Sequence, residues 1–149
     1  MLKIIKEHRK QYHKKILNNL DDYIYRKERY NLDFSIAIGI CDTTVDMSGF
    51  NKYIRKTDCF IVLENYLCIV IFDGISIDNA IKAASNLQTK FQSENFGKQL
   101  FVGVADPNDY HNDDYGFKMV HSLFDILEHA ISHNNEHEVV DYAQLFYTI

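Results

Sequence analysis

Three histidines near the C-terminus, His129, His133 and His137, are spaced by four residues. Side chains four residues apart on a helix share a face, so the first two could hold a metal ion. His137 is expected beyond the helix end, and no carboxylate–histidine arrangement elsewhere supports a catalytic site. The pattern favours a solvated helix face, and we predict no metal site, no catalytic residue and no cofactor.

Three carboxylates, Asp42, Asp46 and Asp73, follow or adjoin apolar runs and could form an acidic pocket at strand ends. Aspartates at such positions more often stabilise turns and helix caps through local hydrogen bonds. The sequence has no glycine-rich phosphate loop, no Ser-His-Asp order and no reactive Cys-His neighbourhood. We therefore favour turn and cap roles for these aspartates.

The cysteines and the charge distribution limit the class of protein. Cys41, Cys59 and Cys68 lie inside apolar runs, which predicts buried free thiols in a reducing compartment, the cytoplasm.

Residues 1–31 hold nine Lys/Arg against four Asp/Glu, whereas the rest of the chain holds seven Lys/Arg against seventeen Asp/Glu. The acidic body argues against a nucleic-acid partner. The basic segment could contact a membrane or a polyanion, although a solvated helix face is the commoner reason for such a segment.

Hydrophobic periodicity and the scarcity of Gly and Pro predict mostly regular structure with short connections. No apolar run approaches the roughly 20 residues of a membrane-spanning helix, and the N-terminus does not resemble a secretory signal. The predicted helices cover residues 3–30, 47–56, 77–93 and 117–134, with Ser76 as the N-cap of the third. The predicted strands cover Phe34–Cys41, 59–63, 67–72, Leu100–Ala105, 138–142 and 145–147.

This order predicts an α+β fold. Its centre has the ferredoxin-like β-α-β-β-α-β order, an antiparallel sheet with helices on one face. We expect residues 1–31 to form a long N-terminal amphipathic helix and residues 32–149 to form one compact domain.

Four stretches, in order and spacing, resemble the GGDEF (diguanylate cyclase) family. Residues 26–42 are similar to the family's arginine-rich helix end, apolar strand and D-x-D pair. Arg55-Lys56-Thr57-Asp58 resembles the R-x-S-D before the signature hairpin. Residues 103–105 resemble its S-x-G-V-A strand, and residues 124–140 its last helix and strand. The resemblance implies a trimmed GGDEF or nucleotidyl-cyclase-like domain with a long N-terminal helix.

The departures from the family pattern fall on its catalytic residues. The family's two metal-binding carboxylates correspond here to Ile40 and Tyr66, and phosphoryl transfer needs those metals to neutralise charge. The family's phosphate-binding cations correspond to Ser132 and about Glu136, and its guanine-reading stretch is missing. The signature itself is replaced throughout, by Glu64, Asn65, Tyr66, Leu67 and Cys68. The resemblance thus implies a degenerate domain without diguanylate cyclase activity.

The R-x-x-D pair is the best remaining candidate site. In many members of the family this pair is the inhibitory site that binds the product, so the resemblance implies that Arg55 and Asp58 bind cyclic di-GMP with Arg26 in support. An arginine can fork onto a guanine edge or a phosphate, and an aspartate can accept from guanine N–H groups. The alternative is structural: Arg55 ends a helix at its negative dipole end, and Asp58 caps the turn into the next strand.

Three functions remain open on these residues. The leading one is a non-catalytic cyclic di-GMP receptor or signalling adaptor. The second is a ligand-free protein-interaction module, in which the N-terminal helix and the altered hairpin bind a protein partner or a second copy. The third is a divergent nucleotidyl cyclase that would need carboxylates close together, Asp42 with Glu64 or Asp73.

Overall fold

A computed structural model describes residues 1–42, 44–110 and 114–147, without the side chains of residues 146 and 147. The helices are α1 (Leu2–Tyr30), α2 (Ile77–Glu94), α3 (Tyr115–Ser132) and α4 (Tyr142–Tyr147), with 3-10 helices at Ser48–Tyr53 and Pro107–Asp109. The strands are β1 (Phe34–Cys41), β2 (Cys59–Glu64), β3 (Leu67–Asp73), β4 (Leu100–Ala105) and β5 (Val139–Asp141). Within these residues no helix is both long and apolar enough to cross a membrane.

The strands form one sheet in the order β2-β3-β1-β4-β5. The pairs β2–β3, β3–β1 and β1–β4 are antiparallel, which confirms the predicted ferredoxin-like centre. The last strand, β5, adds to β4 in parallel and makes the sheet mixed. All eight residues of the central strand β1 are buried, which explains their unbroken apolar run.

Side chains on the two faces of the sheet enter two separate cores. Ile36, Ile38 and Ile40 of β1 face α1 and α3, whereas Ala37 and Cys41 face α2 and the 3-10 helix Ser48–Tyr53. The helix and 3-10 helix that belong to the ferredoxin-like centre therefore share one face, as predicted, and α1 and α3 cover the other.

The long helix α1 is part of the larger core rather than an isolated extension. Its buried face carries Ile5, Tyr12, Ile16 and Leu20, in agreement with the predicted periodicity. The helix ends at Asn31, which adopts the left-handed conformation (φ 54°) and donates its backbone N–H to the carbonyl of Lys27. Asparagine tolerates this conformation better than most residues, so the chain can turn directly into β1.

Two predicted elements differ from the structure. The predicted strand 145–147 is wrong, because those residues lie in α4. The cause is reciprocal capping: the Asp141 N–H donates to Gln144 Oε1 (3.0 Å) and the Gln144 N–H donates to Asp141 Oδ1 (3.3 Å). The predicted helix 47–56 is shorter, a 3-10 helix at Ser48–Tyr53, and Asp46 accepts from the Ser48 N–H at its start.

The cysteines agree only in part with the prediction of buried thiols. All three are free, and Cys41 is buried, but Cys59 and Cys68 are half-buried. Burial raises the pKa of Cys41 and that of Cys68 to about 12, so both thiols stay protonated near neutral pH.

Candidate functional site

The R-x-x-D pair forms a compact, hydrogen-bonded turn between the 3-10 helix Ser48–Tyr53 and β2. The Asp58 carboxylate accepts four hydrogen bonds: from Arg55 N (3.0 Å), Arg55 Nε (3.1 Å), Arg55 Nη2 (2.8 Å) and the backbone N–H of Asp73 (3.1 Å). The Asp58 side chain is only 3% exposed, whereas that of Arg55 is 53% exposed. The aspartate is thus an internal anchor, and the arginine it holds is open to solvent.

Asp73, the last residue of β3, connects this turn to α1. Its backbone carbonyl accepts from Arg55 Nη2 (2.6 Å), and its carboxylate lies 3.3 Å from Arg26 Nη1. The Arg26 guanidinium also lies over the Tyr23 ring, 4.6 Å from its centroid. The structure therefore brings together Arg26, Arg55 and Asp58, the three residues singled out from the sequence, around a fourth residue, Asp73.

The surface beside this turn is a shallow depression of about 190 Å³, with the side chains of Arg55 and Asp58 on one side and α2 on the other. Lys90 of α2 lies over the ring of Tyr53, 4.5 Å from its centroid. The hydrogen bond to Asp58 raises the pKa of Arg55, so its charge is fixed at any physiological pH. The depression offers a fixed guanidinium, an ammonium group and an aromatic ring, groups that suit an anionic ligand with planar rings.

The residues at the signature positions are used for packing and backbone contacts. Glu64 accepts a hydrogen bond from the Tyr12 hydroxyl (3.1 Å), which ties the end of β2 to α1. The carbonyl of Asn65 accepts from the Met47 N–H (2.7 Å), and that of Tyr66 accepts from the Cys41 N–H (3.0 Å). Leu67 is fully buried, and Cys68 pairs with Gly39 in the sheet.

The two positions that the resemblance assigned to the family's metal ligands, Ile40 and Tyr66, lie on the adjacent strands β1 and β3 or next to them, and their side chains are apolar or aromatic. Ile40 is fully buried in the core beneath α1 and α3, and its partner across β1 and β3 is Leu67, the residue after Tyr66. Tyr66 is half-buried and packs against both cores, and burial raises its pKa. The geometry therefore offers no carboxylate at either position.

Asp42, Asp46 and Asp73 do not come together as one acidic pocket. Asp73 lies opposite Phe34 at the start of β1, whereas Asp42 follows the end of β1. At about 3.3 Å per residue, roughly 25 Å separates those two ends of the strand. Asp42 and Asp46 have the predicted turn roles, since hydrogen bonds from Thr44 and Ser48 respectively lower the pKa of each carboxyl. The pairing of Asp42 with Asp73 in a divergent cyclase is therefore wrong.

The three histidines lie at and beyond the C-terminal end of α3. The rings of His129 and His133 stack with centroids 4.0 Å apart, and His133 is the C-cap of α3. His137 lies beyond the helix and contacts Glu136 at 3.6 Å. Among residues 1–42, 44–110 and 114–147 no three His, Cys, Asp or Glu side chains are grouped so that they could hold a metal ion.

Sequence reasoning missed the central role of Asp73. Its carbonyl, N–H and carboxylate each contact one of the three predicted site residues. The available signal was its position at the end of an apolar strand, but only the pairing of β2 with β3 brings it beside Asp58.

No protein-family model matches the sequence, and no curated protein matches it significantly. Solved structures do match the fold. The active GGEEF domain of a diguanylate cyclase from Vibrio cholerae has a TM-score of 0.69 and 14% identity, with 87% of this chain and 95% of that chain covered. The GGDEF domain of DgcB from Caulobacter crescentus, in complex with c-di-GMP, has a TM-score of 0.66 and 11% identity, with 87% and 86% covered.

A third similar structure is the diguanylate cyclase SiaD from Pseudomonas aeruginosa, in complex with its activator SiaC. It has a TM-score of 0.67 and 11% identity, with 87% of this chain and 57% of that chain covered. These similarities show that the chain has the fold of GGDEF domains.

Proposed function

We propose, from the GGDEF fold of this chain, that it is a non-catalytic signalling domain that binds cyclic di-GMP at its R-x-x-D turn. One observation carries the proposal: Arg26, Arg55 and Asp58 converge around Asp73 beside an open depression. The structure of DgcB with c-di-GMP makes this dinucleotide the first ligand to test.

The lack of catalysis follows from the chemistry of phosphoryl transfer. Metal ions must neutralise the charge that develops on the transferring group, and carboxylates hold those ions. Ile40 and Tyr66 stand at the two corresponding positions, and a buried isoleucine provides no oxygen ligand. A domain that keeps the nucleotide-binding turn without the metal ligands would sense the dinucleotide rather than make it.

Arg55 is the expected ligand contact, and Asp58 is a positioning residue. The guanidinium is held on one edge by Asp58 and remains 53% exposed, so its free edge and face can meet a guanine ring or a phosphate. Direct contact between Asp58 and the ligand would require Arg55 to release the carboxylate. Arg26 supports the turn indirectly: it pairs with the carboxylate of Asp73, the residue whose carbonyl accepts from Arg55.

Isothermal titration of cyclic di-GMP into the full chain tests the proposal. We expect micromolar or tighter binding by the native protein, and at least about a tenfold loss in Arg55→Ala, since charge-assisted hydrogen bonds contribute about 1.5–3 kcal/mol each. Lys56→Ala is the matched control, because Lys56 is an exposed cation in the same turn. Absence of heat with the native protein, or equal loss in both variants, contradicts an Arg55-dependent site.

A protein-interaction module is the second candidate, and one observation favours it. Large apolar side chains are exposed where α1 ends: Tyr25 is 56% exposed, Tyr30 60% and Leu32 48%. Tyr25 and Tyr30 pack edge to face, with centroids 6.3 Å apart, and form a small aromatic surface. Exposed apolar surface of this kind is a common site of protein contact.

Sedimentation velocity over a range of protein concentrations tests this second candidate. If the aromatic surface joins two copies, the native chain sediments as a dimer, and Tyr25→Ser with Tyr30→Ser shifts it to a monomer. Phe96→Ser is the control, because Phe96 is 98% exposed in the turn after α2. A chain that remains monomeric at every concentration rules out self-association through this surface.

A further inference from the structure

A second groove runs along the outer side of α1, beside the first turns of α3. Its volume is about 910 Å³, within the general size range of small-molecule sites. The residues that line it include Lys6, Lys10, His13, Lys14, Phe117 and His121. Arg26 lies 16 positions after Lys10 in α1, about 24 Å along the helix axis, and the groove shares no residue with the depression at the R-x-x-D turn.

One wall of the groove is a row of unpaired cations. Lys6, Lys10 and Lys14 follow each other at intervals of one helical turn, all three are exposed, and none forms an ion pair with any residue that the structure describes. Arg9, by contrast, is held by Asp125 at 2.8 Å and Glu128 at 3.6 Å. Glu7, a carboxylate that also lines the groove, lies 4.0 Å from Lys3 and 3.9 Å from His8 rather than against these lysines. The three lysines therefore concentrate positive charge along one wall in a chain whose net charge is −5.

The opposite wall and the floor are aromatic. Phe117 is 54% exposed, its ring centroid lies 4.4 Å from that of the buried His13, and it lies nearly parallel to His121 at 6.5 Å. His13 Nε2 is buried and has no hydrogen-bond partner among the described residues. Burial, with the nearby His121 and Arg9, lowers the pKa of His13, so its ring is neutral at neutral pH.

Phe117 is exposed over half of its surface and nearly parallel to the His121 ring, so it offers a stacking surface in the same groove as the three lysines. Planar aromatic ligands stack on such platforms, and phosphates are attracted to rows of lysines. A ligand that carries both a planar ring and phosphates can contact both walls of the groove. An acidic peptide would contact only the cations and would leave Phe117 without a planar partner.

We propose that this groove binds a nucleotide, with the base stacked on Phe117 and the phosphates held by Lys6, Lys10 and Lys14. The site does not depend on the cyclic di-GMP proposal, since it shares no residue with the R-x-x-D turn. The chain would then have a second, separate nucleotide-binding site on the face where α1 meets α3.

Titration with ATP, without added metal, tests the site in the full chain, with inorganic tripolyphosphate and adenosine as separate probes of its two walls. We expect ATP to bind more tightly than either tripolyphosphate or adenosine. Lys10→Glu and Phe117→Ser should each weaken ATP binding by about tenfold or more. The matched controls are Lys82→Glu, an exposed lysine of α2, and Phe96→Ser, and both should leave ATP binding unchanged.

Arg55→Ala separates this site from the R-x-x-D turn, because it should lose cyclic di-GMP and retain ATP. Absence of ATP binding overturns the proposal. Tripolyphosphate binding as tight as that of ATP, with no effect of Phe117→Ser, also overturns it, because the aromatic wall would then play no part. Binding of an acidic peptide at this groove in place of ATP would make it a protein-docking surface instead.

Discussion

Ile40→Asp is expected to destabilise the protein by about 4 kcal/mol or more and to restore no diguanylate cyclase activity. The substitution puts a carboxylate at the position that, by the sequence resemblance to GGDEF domains, is aligned with one of their metal ligands. Ile40 is fully buried in the core beneath α1 and α3, so the change removes a packed aliphatic side chain and adds a polar group without partners. In a chain of 149 residues this loss corresponds to a decrease in Tm of roughly 12 °C.

Thermal and urea unfolding measure this effect, and two controls separate its causes. Ile40→Val keeps the position apolar and should cost about 1 kcal/mol. Phe96→Asp introduces the same acid at a position that is 98% exposed and should change Tm little. GTP turnover with Mg²⁺ is measured on the native chain and on every variant that remains folded. Cyclic di-GMP synthesis by the native chain would refute the non-catalytic proposal, and a native-like Tm in Ile40→Asp would show that the position tolerates a carboxylate.

The centre of the fold was predictable because its signals are local. The unbroken apolar run of Phe34–Cys41 predicted a strand covered on both faces, and the sheet buries all eight of its residues. The strand 145–147 was predicted wrongly for an equally local reason. The hydrogen bonds between Asp141 and Gln144 start α4, and a capping pair that overlaps the end of a strand is hard to distinguish from a continuing strand by hydrophobicity alone.

The residues of the candidate site could be named from the sequence, but the contacts that join them could not. The resemblance to the GGDEF family implied Arg26, Arg55 and Asp58, and in the structure each of the three contacts Asp73. The contact that unites them is Asp73, which is 15 residues from Asp58 and 47 from Arg26 in the chain. Such contacts depend on strand register, here the pairing of Phe34 with Asp73 and of Cys59 with Ile71. A sequence without aligned relatives carries no direct signal of that register.

The internal anchoring of Arg55 predicts a large effect of Asp58→Ala. The Asp58 carboxylate is 3% exposed and accepts hydrogen bonds from three donors of Arg55 and from the Asp73 N–H. Its removal leaves the Arg55 and Asp73 backbone donors without their carboxylate acceptor, so we expect a loss of about 2 kcal/mol in the free energy of unfolding. Asp21→Ala, at an exposed position on α1, is the control and should have little effect.

Asp58→Asn distinguishes a positioning role from a purely structural one. The amide keeps the size of the side chain but loses its charge and half of its acceptor capacity, so the turn should remain folded while Arg55 is held less firmly. Because a fixed guanidinium binds with less entropic cost than a mobile one, cyclic di-GMP binding should weaken by about tenfold in this variant. Native affinity in a folded Asp58→Asn would mean that Arg55 needs no fixed orientation. The pairing of Arg55 with Asp58 would then only stabilise the turn, which is the structural alternative to a ligand site.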